Sequence, residues 1–290
     1  NVAEDILDQN SRLVNFADDT NILIVGSSLS GLLNISSDRL KKAQEWFLQN
    51  KLILNNNKTN YLCFRSKRRN NYIPGEVRLC TQDVILAEST KFLGIHIDQN
   101  LDWVEHVSSV CKKVNSACYS LRMMAKYLDV DTLKVIYYSN IHSALRFGVI
   151  FWGGSTDVQH AFTAQKRAIR IVLSMGWMES CRGRFRQLKI LTLPGLYIYE
   201  CLVFFFKNRH LFLNFEIQHN LNTRNLGLNV PVHKLSMTER GPTYMCITFF
   251  NKLPNNLKPE KNFKVFKKSI LNAILELEPY SVKDFLEHKF

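Results

Sequence analysis

Two adjacent carboxylates, Asp18 and Asp19, sit between short apolar runs in NFADDTNILI, residues 15–24, with no Lys or Arg within five residues of either. Like charges held side by side repel, so the pair is either left to water or used on a cation. In a solvated turn, Asp bonds its own backbone and needs no further role. The chemical alternative is metal-assisted phosphoryl transfer, where two divalent ions about 3.5–4 Å apart flank the attacking and leaving oxygens. Hard Mg²⁺ takes oxygen ligands and keeps several waters, so few protein ligands suffice.

The elements that must hold this pair are legible around it. Leu13, Val14 and Phe16 lead in and Ile22 to Val25 lead out, which predicts a β-hairpin with the aspartates at or near its tip. Leu40, Ala43, Trp46 and Phe47 then recur at helical spacing, with Ser36, Ser37 or Asp38 as N-cap and an end near Asn50. KLILNNNKTNYLCF (51–64) reads as strand, polar turn at 55–58, and strand. VRLC (77–80), DVILA (83–87) and KFLGIHID (91–98) read as further strands, and a basic run, RSKRR, fills 65–69. That run suits phosphate contact, a nuclear address or a solvated loop.

From Trp103 to Met124 the apolar residues form a helical stripe, with Lys112, Lys113, Arg122 and Lys126 off it. Further helices are predicted from an Asp131 cap to about Phe147, over 159–176 with Gly176 as C-cap, over 196–211, and over 262–277. On the third of these five, Lys166, Arg167 and Arg170 share a face opposite Ile169 and Val172.

The 290 residues carry a formal charge of +13 and are 46% hydrophobic, enough apolar content for a substantial core and too much for wholesale disorder. Residues 1–60 hold six Lys/Arg against seven Asp/Glu, whereas 61–199 hold nineteen against ten. The acidic doublet thus belongs to the one segment that is not basic, and the rest favours a polyanionic partner. The seven cysteines form no CxxC, which predicts reduced, mostly buried thiols in an intracellular protein of the nucleus or cytoplasm. LYIYECLVFFF (196–206) is too short for a membrane span and contains Glu200. Asn1 at the start, without Met or signal peptide, reads as a fragment or processed piece.

Phe-Ala-Asp-Asp (16–19) between hydrophobic runs resembles the catalytic hairpin of reverse transcriptases. WFLQNKLILNNNKTNYLCF (46–64) and KFLGIHIDQNLDWVEHV (91–107) follow in the order of the next blocks of non-LTR retrotransposon reverse transcriptases. SALRFGVIFWG (143–153), QKRAIRIV (165–172) and LKILTLPGLYIYE (188–200) resemble the downstream region of jockey-like elements. The resemblance implies an α/β palm remnant of antiparallel hairpins plus a helix at 1–100. A helical thumb at 101–150 and a mainly helical C-terminal extension at 151–290 would follow. It implies an RNA-directed DNA polymerase using two Mg²⁺, an RNA template, a DNA primer duplex and deoxynucleoside triphosphates, with no membrane partner.

Residue by residue, the resemblance makes Asp18 the principal metal ligand and Asp19 its neighbour, and places Phe16 and Ala17 beneath the primer terminus. Lys58 falls near the incoming phosphates, where an ammonium could offset developing charge, or else is a solvated turn lysine. Asn55 and Thr59 shape that turn. Phe92, Leu93 and Gly94 would support the primer strand, or form an ordinary buried strand with a bulge glycine. Lys112, Lys113 and Lys126 fit a thumb gripping a duplex. A further aspartate from an upstream strand, and the fingers, have no counterpart here, since the context of Glu4, Asp5 and Asp8 does not match. The expected outcome is a chain inactive by itself; a non-catalytic nucleic-acid-binding derivative of such an element is the alternative. His106, His142 and Cys181 read as structural.

Overall fold

A computed structural model describes residues 10–55, 58–64, 76–79, 82–215, 227–258 and 262–290, with only the backbone described at 76–79 and 82–85. The RSKRR run, Glu4, Asp5 and Asp8 lie outside these. The chain divides into two compact units, residues 1–90 with 98–100 and residues 91–97 with 101–290.

In the first unit, β1 (Ser11–Phe16) and β2 (Asp19–Ile24) form an antiparallel hairpin, followed by the helix α1 (Leu29–Gln49). Leu13 and Ile22 sit opposite each other on one face of the hairpin and pack with Ala43, Trp46 and Phe47 of α1. The helix begins earlier than its apolar spacing indicates. Ser28, in extended backbone, accepts the Gly31 N–H at 3.2 Å and caps a first turn that is polar and weakly patterned. It ends where predicted, with Asn50 donating to the Trp46 carbonyl at 2.8 Å. Residues 52–55 are not a strand. Ile53 is almost wholly exposed, so the apolar KLIL run has no face to bury. β3 (Asn60–Tyr61) runs parallel to β5 (Gln82–Leu86), which pairs antiparallel with β4 (Glu76–Leu79).

KFLGIHID is a hairpin rather than one strand. β6 (Ser89–Phe92) and β7 (Ile95–Asp98) are joined by Leu93 at φ +47° and Gly94 at φ +86°. Left-handed backbone at both central residues is what a type I′ turn demands. Leu93 has a branched side chain where Asn or Gly is usual, a strain of about 1 kcal/mol or more.

The second unit is helical: α2 (Val104–Met124), α3 (Val130–Ile136), α4 (Ser143–Arg146), α5 (Val149–Trp152), α6 (Val158–Val172), α7 (Arg184–Leu188), α8 (Leu193–Lys207), α9 (Ser236–Glu239), α10 (Pro242–Lys252), α11 (Phe263–Leu277) and α12 (Val282–Glu287). A π-helical stretch, Tyr137–His142, joins α3 to α4, and a 3₁₀ segment, Arg209–Phe215, follows α8. One core runs from Val107 to Phe285 and takes residues from both 101–150 and 151–290. α8 is buried nearly all round, as an apolar helix with no polar face must be. Its one carboxylate, Glu200, is held by Arg146, with Nε 2.7 Å from Oε1.

Three helix boundaries differ from expectation for local reasons. The Asp129 carboxylate, not Asp131, caps α3 by accepting the Thr132 N–H at 2.9 Å. α6 stops at Val172 because Ser174 turns left-handed at φ +51°, two residues before Gly176. α8 starts at Leu193 with Pro194 in its first turn, where no N–H is required, and Thr192 accepts the Gly195 N–H at 3.1 Å.

Gly153 closes α5 against the ring of Tyr197, which is fully buried. A Cβ there would lie 2.6 Å from Tyr197 Cγ and 2.7 Å from the Val149 carbonyl oxygen. Gly153→Ala is therefore expected to cost about 3 kcal/mol, seen as a lower urea midpoint. An unchanged midpoint would mean that the Tyr197 ring can move aside.

Cys118, Cys181, Cys201 and Cys246 are buried free thiols, and burial pushes Cys118 up to about 11. Among the described residues no helix is long and apolar enough to cross a membrane.

Candidate active site

The doublet sits on a two-residue turn. Phe16 and Asp19 are the closing pair of the hairpin, so Ala17 and Asp18 make the loop. Ala17 has φ +51°, the left-handed conformation that primed hairpin turns need at their first central residue. A loop this short fixes where both carboxylates stand without help from other side chains.

Opposite residues of an antiparallel pair share a face. Leu13 and Ile22 mark the inner face. Asp19 therefore belongs to the outer one, with Phe16, Val14 and Leu23, which are 60%, 38% and 48% exposed. Asp18 and Asp19 are themselves exposed, and among the described residues neither makes an ion pair or side-chain hydrogen bond. Arg12, on the same outer face, is four residues down the strand from Phe16, about 13 Å away. The result is an acidic tip above an open apolar strip, with no cation beside it among the described residues.

Two adjacent carboxylates can share a hard divalent ion, leaving most of its shell to water. They do not make a full two-ion site, and among the described residues no group of three or more His, Cys, Asp or Glu is placed to hold a metal. The residues present fit part of such a site only.

Lys58 lies in the same unit, in a turn where its N–H donates to the Asn55 carbonyl at 3.1 Å and Thr59 Oγ1 donates to the same oxygen at 3.0 Å. The ammonium is exposed, and no described hydrogen bond or ion pair joins it to Asp18 or Asp19. Asn55 and Thr59 thus shape this turn.

Phe92, Leu93 and Gly94 occupy the β6–β7 turn, and a Cβ on Gly94 would meet the Phe147 ring at 3.3 Å. Leu93 is 39% exposed. Lys112 and Lys113 are exposed on α2, and Lys126 is exposed just past its end. Tyr119 and Met123, seven and eleven residues beyond Lys112, fall on its side of the helix and are 65% and 47% exposed.

The basic face of α6 is less free than its sequence implies. Lys166 Nζ lies 4.8 Å over the Phe162 ring, Arg167 donates to Asn115 Oδ1 of α2 at 2.8 Å, and Arg170 Nε donates to the Glu179 carbonyl at 2.9 Å. All three cations brace the fold.

His106, read from sequence as structural, is buried, and its Nδ1 accepts the His96 N–H at 3.3 Å. Burial, helped by His96 and Lys113, lowers its pKa to about 4. Two features escaped the sequence reading. Gln165 is fully buried on the otherwise apolar inner face of α6, and nothing in QKRAIRIV marks it as inward-facing except its phase with Ala161, Ala168 and Ile169. Trp177 is 79% exposed, in a loop too short to show any period.

No family model and no solved structure matches this chain. Among curated proteins it is similar to a probable RNA-directed DNA polymerase from transposon X-element of Drosophila melanogaster, 23% identical over 187 residues. That match takes in 63% of this chain and 20% of the relative, so the chain spans about a fifth of that protein's length. The likeness supports an origin related to the RNA-directed DNA polymerase of a transposon.

Proposed function

We propose that this chain is the C-terminal part of a non-LTR, jockey-like retrotransposon reverse transcriptase, comprising a palm remnant, a helical thumb and an extension. The observation that carries the reading is the solvent-facing Asp18–Asp19 pair on a two-residue hairpin turn, packed on a Trp-containing helix. The similarity to a transposon polymerase supports it.

In the parent reaction a primer 3′-hydroxyl attacks the α-phosphate of a deoxynucleoside triphosphate on an RNA template, and pyrophosphate leaves. Mg²⁺, when bound, supplies charge to the attacking and departing oxygens. Asp18 would be its main ligand and Asp19 the neighbouring carboxylate. Phe16 and Ala17 form the surface under the primer end, and Lys58 faces the triphosphate. Phe92, Leu93 and Gly94 support the primer strand, while Lys112, Lys113 and Lys126 contact the duplex backbone.

With two carboxylates at the hairpin, and no group of three or more His, Cys, Asp or Glu placed to hold a metal among the described residues, the purified chain is expected to bind Mg²⁺ weakly, with Kd of about 1 mM or above. Template-primer extension should stay at background and be the same for Asp18→Ala. Robust synthesis that depends on Asp18 would overturn the claim of an incomplete site. The same incomplete set favours a second reading, a non-catalytic nucleic-acid-binding derivative. The two part on whether the sequence upstream of Asn1 continues an open frame through the missing strand, and on whether such a frame, expressed together with this chain, restores Asp18-dependent extension.

A further inference from the structure

Segment 174–189, SMGWMESCRGRFRQLK, joins α6 through α7 to the strand-like approach to α8. Of the four tryptophans, Trp152 is fully buried, Trp46 and Trp103 are half-buried, and Trp177 is 79% exposed, with Met178 beside it at 73%. This is not a loose loop that happens to carry an indole. Glu179 Oε1 accepts the Gly176 N–H at 2.7 Å, and its own N–H donates back to the Gly176 carbonyl at 3.1 Å. Arg170 Nε holds the Glu179 carbonyl, Cys181 is buried, and the Gly183 N–H donates to both Glu278 carboxylate oxygens at 2.8 and 3.0 Å. The backbone is pinned on both sides of Trp177, and the side chain is still held out in water.

Within the segment itself the charge is mostly positive, four cations against Glu179. Arg182, Arg184, Arg186 and Lys189 are all exposed, and none makes an ion pair among the described residues. Arg182 lies 4.6 Å over the Tyr280 ring and its charge also acts on the Asp284 carboxyl, while Arg184 donates to Gln187 Oε1 at 3.1 Å, which orients both. Glu179, the segment's one carboxylate, is spent on the turn. Tyr138, 40% exposed, donates its hydroxyl to the Lys189 carbonyl at 3.2 Å and so adds a second aromatic at the far end.

We propose that segment 174–189 is a contact site for single-stranded nucleic acid, with Trp177 as a base-stacking platform and Arg184 and Arg186 as phosphate contacts. An indole face stacks on any exposed base, but a duplex hides its base faces, so the tryptophan selects unpaired strands. Guanidinium groups match phosphate geometry. The pinned turn means little freedom is lost on binding. Tryptophan, methionine and arginine also suit protein interfaces, but four exposed cations within twelve residues of the indole favour a polyanion. The site does not involve Asp18 or Asp19, so it stands apart from the polymerase reading.

The test is fluorescence anisotropy of labelled oligo(dT) with the full chain, in EDTA so that no metal chemistry enters, alongside intrinsic tryptophan emission. Oligonucleotide should quench the exposed indole. Trp177→Ala should weaken single-strand binding between about fivefold and a hundredfold, Trp177→Phe should keep most of it, and duplex binding should hold for both. Arg184→Gln with Arg186→Gln should flatten the salt dependence by between one and two in log–log slope. Equal single-strand affinity in Trp177→Ala would overturn the proposal, as would equal losses on single strand and duplex. So would self-association that Trp177→Ala abolishes while oligonucleotide binding is kept, which would assign the patch to a second copy of the chain. Circular-dichroism melts confirm folding of each variant, and failure here leaves the extension assay's outcome untouched.

Discussion

Gln165→Leu is expected to destabilise the helical unit by about 4 kcal/mol or more, enough to unfold much of it near 37 °C. Gln165 is fully buried and uses every polar group it has. Its Nε2 donates to Tyr137 Oη at 2.8 Å and to the Leu191 carbonyl at 2.9 Å, and its Oε1 accepts the Leu193 N–H at 2.7 Å. That N–H is the first of α8, one of the donors a helix leaves open at its start, so a side chain from α6 caps α8 across the core. Leucine matches the volume but strands three polar groups, each at a cost of about 1–3 kcal/mol. Burial already pushes the Tyr137 phenol far up. Adding Tyr137→Phe should return part of the loss, because it removes one stranded group. Urea unfolding of the two single variants and the double variant measures this coupling. A loss for Gln165→Leu below about 1 kcal/mol would mean that water replaces the amide.

The second large effect is acid sensitivity between pH 6.5 and 4. His106 and His142 are both lowered to about 4, chiefly by burial, with His96 and Lys113 adding to the first and Arg146 to the second. A folded-state pKa below the ordinary 6.5 means that the unfolded chain takes up the proton first. The stability each neutral ring provides is whole above pH 6.5 and drains away as pH falls toward 4, by at most about 3 kcal/mol per site. For His106 the reason is geometric. Its Nδ1 already accepts the His96 N–H, so the ring proton is on Nε2, which is buried without a described partner against Trp152. A second proton must displace that bond. The exposed His233–Glu239 pair has the opposite sign, since Glu239 raises His233 and its contribution fades at higher pH. Urea midpoints at pH 7, 6 and 5.5 stay above the range where carboxylates titrate. His106→Asn, whose Oδ1 can accept the same N–H, should flatten the fall, and a flat wild-type profile would contradict the burial argument.

The parts of this molecule governed by short-range patterning were readable in advance. The acidic hairpin follows from apolar runs on either side of a two-residue turn, and the α2 stripe follows from an apolar residue every three or four positions. Val107, Val110, Val114, Cys118 and Leu121 are all buried as that spacing demands. Leu133, Tyr137, Ile141 and Leu145 are spaced by four throughout, which drifts by about 40° per step on an α-helix. The wider π turn at Tyr137–His142 absorbs that drift and keeps all four in the core. In KFLGIHID, Leu93, Ile95 and Ile97 alternate with Gly94, His96 and Asp98, a pattern that predicts one strand. Only the left-handed backbone at Leu93 and Gly94 reveals the turn.

Sequence alone determined that Asp18 and Asp19 share a turn, that the first hundred residues mix strands with a helix, and that a basic helical region follows. These depend on neighbours along the chain, and local sterics and hydrophobic period settle them. Tertiary structure decided which polar residues are structural and which are free. Lys166, Arg167 and Arg170 are absorbed by a ring, an amide and a carbonyl, and Gln165 caps a helix 28 residues away. Trp177 is left in water by a turn that Arg170 and Glu278 hold from outside its own segment. Those assignments depend on partners brought together only by folding, and no spacing within the sequence encodes them.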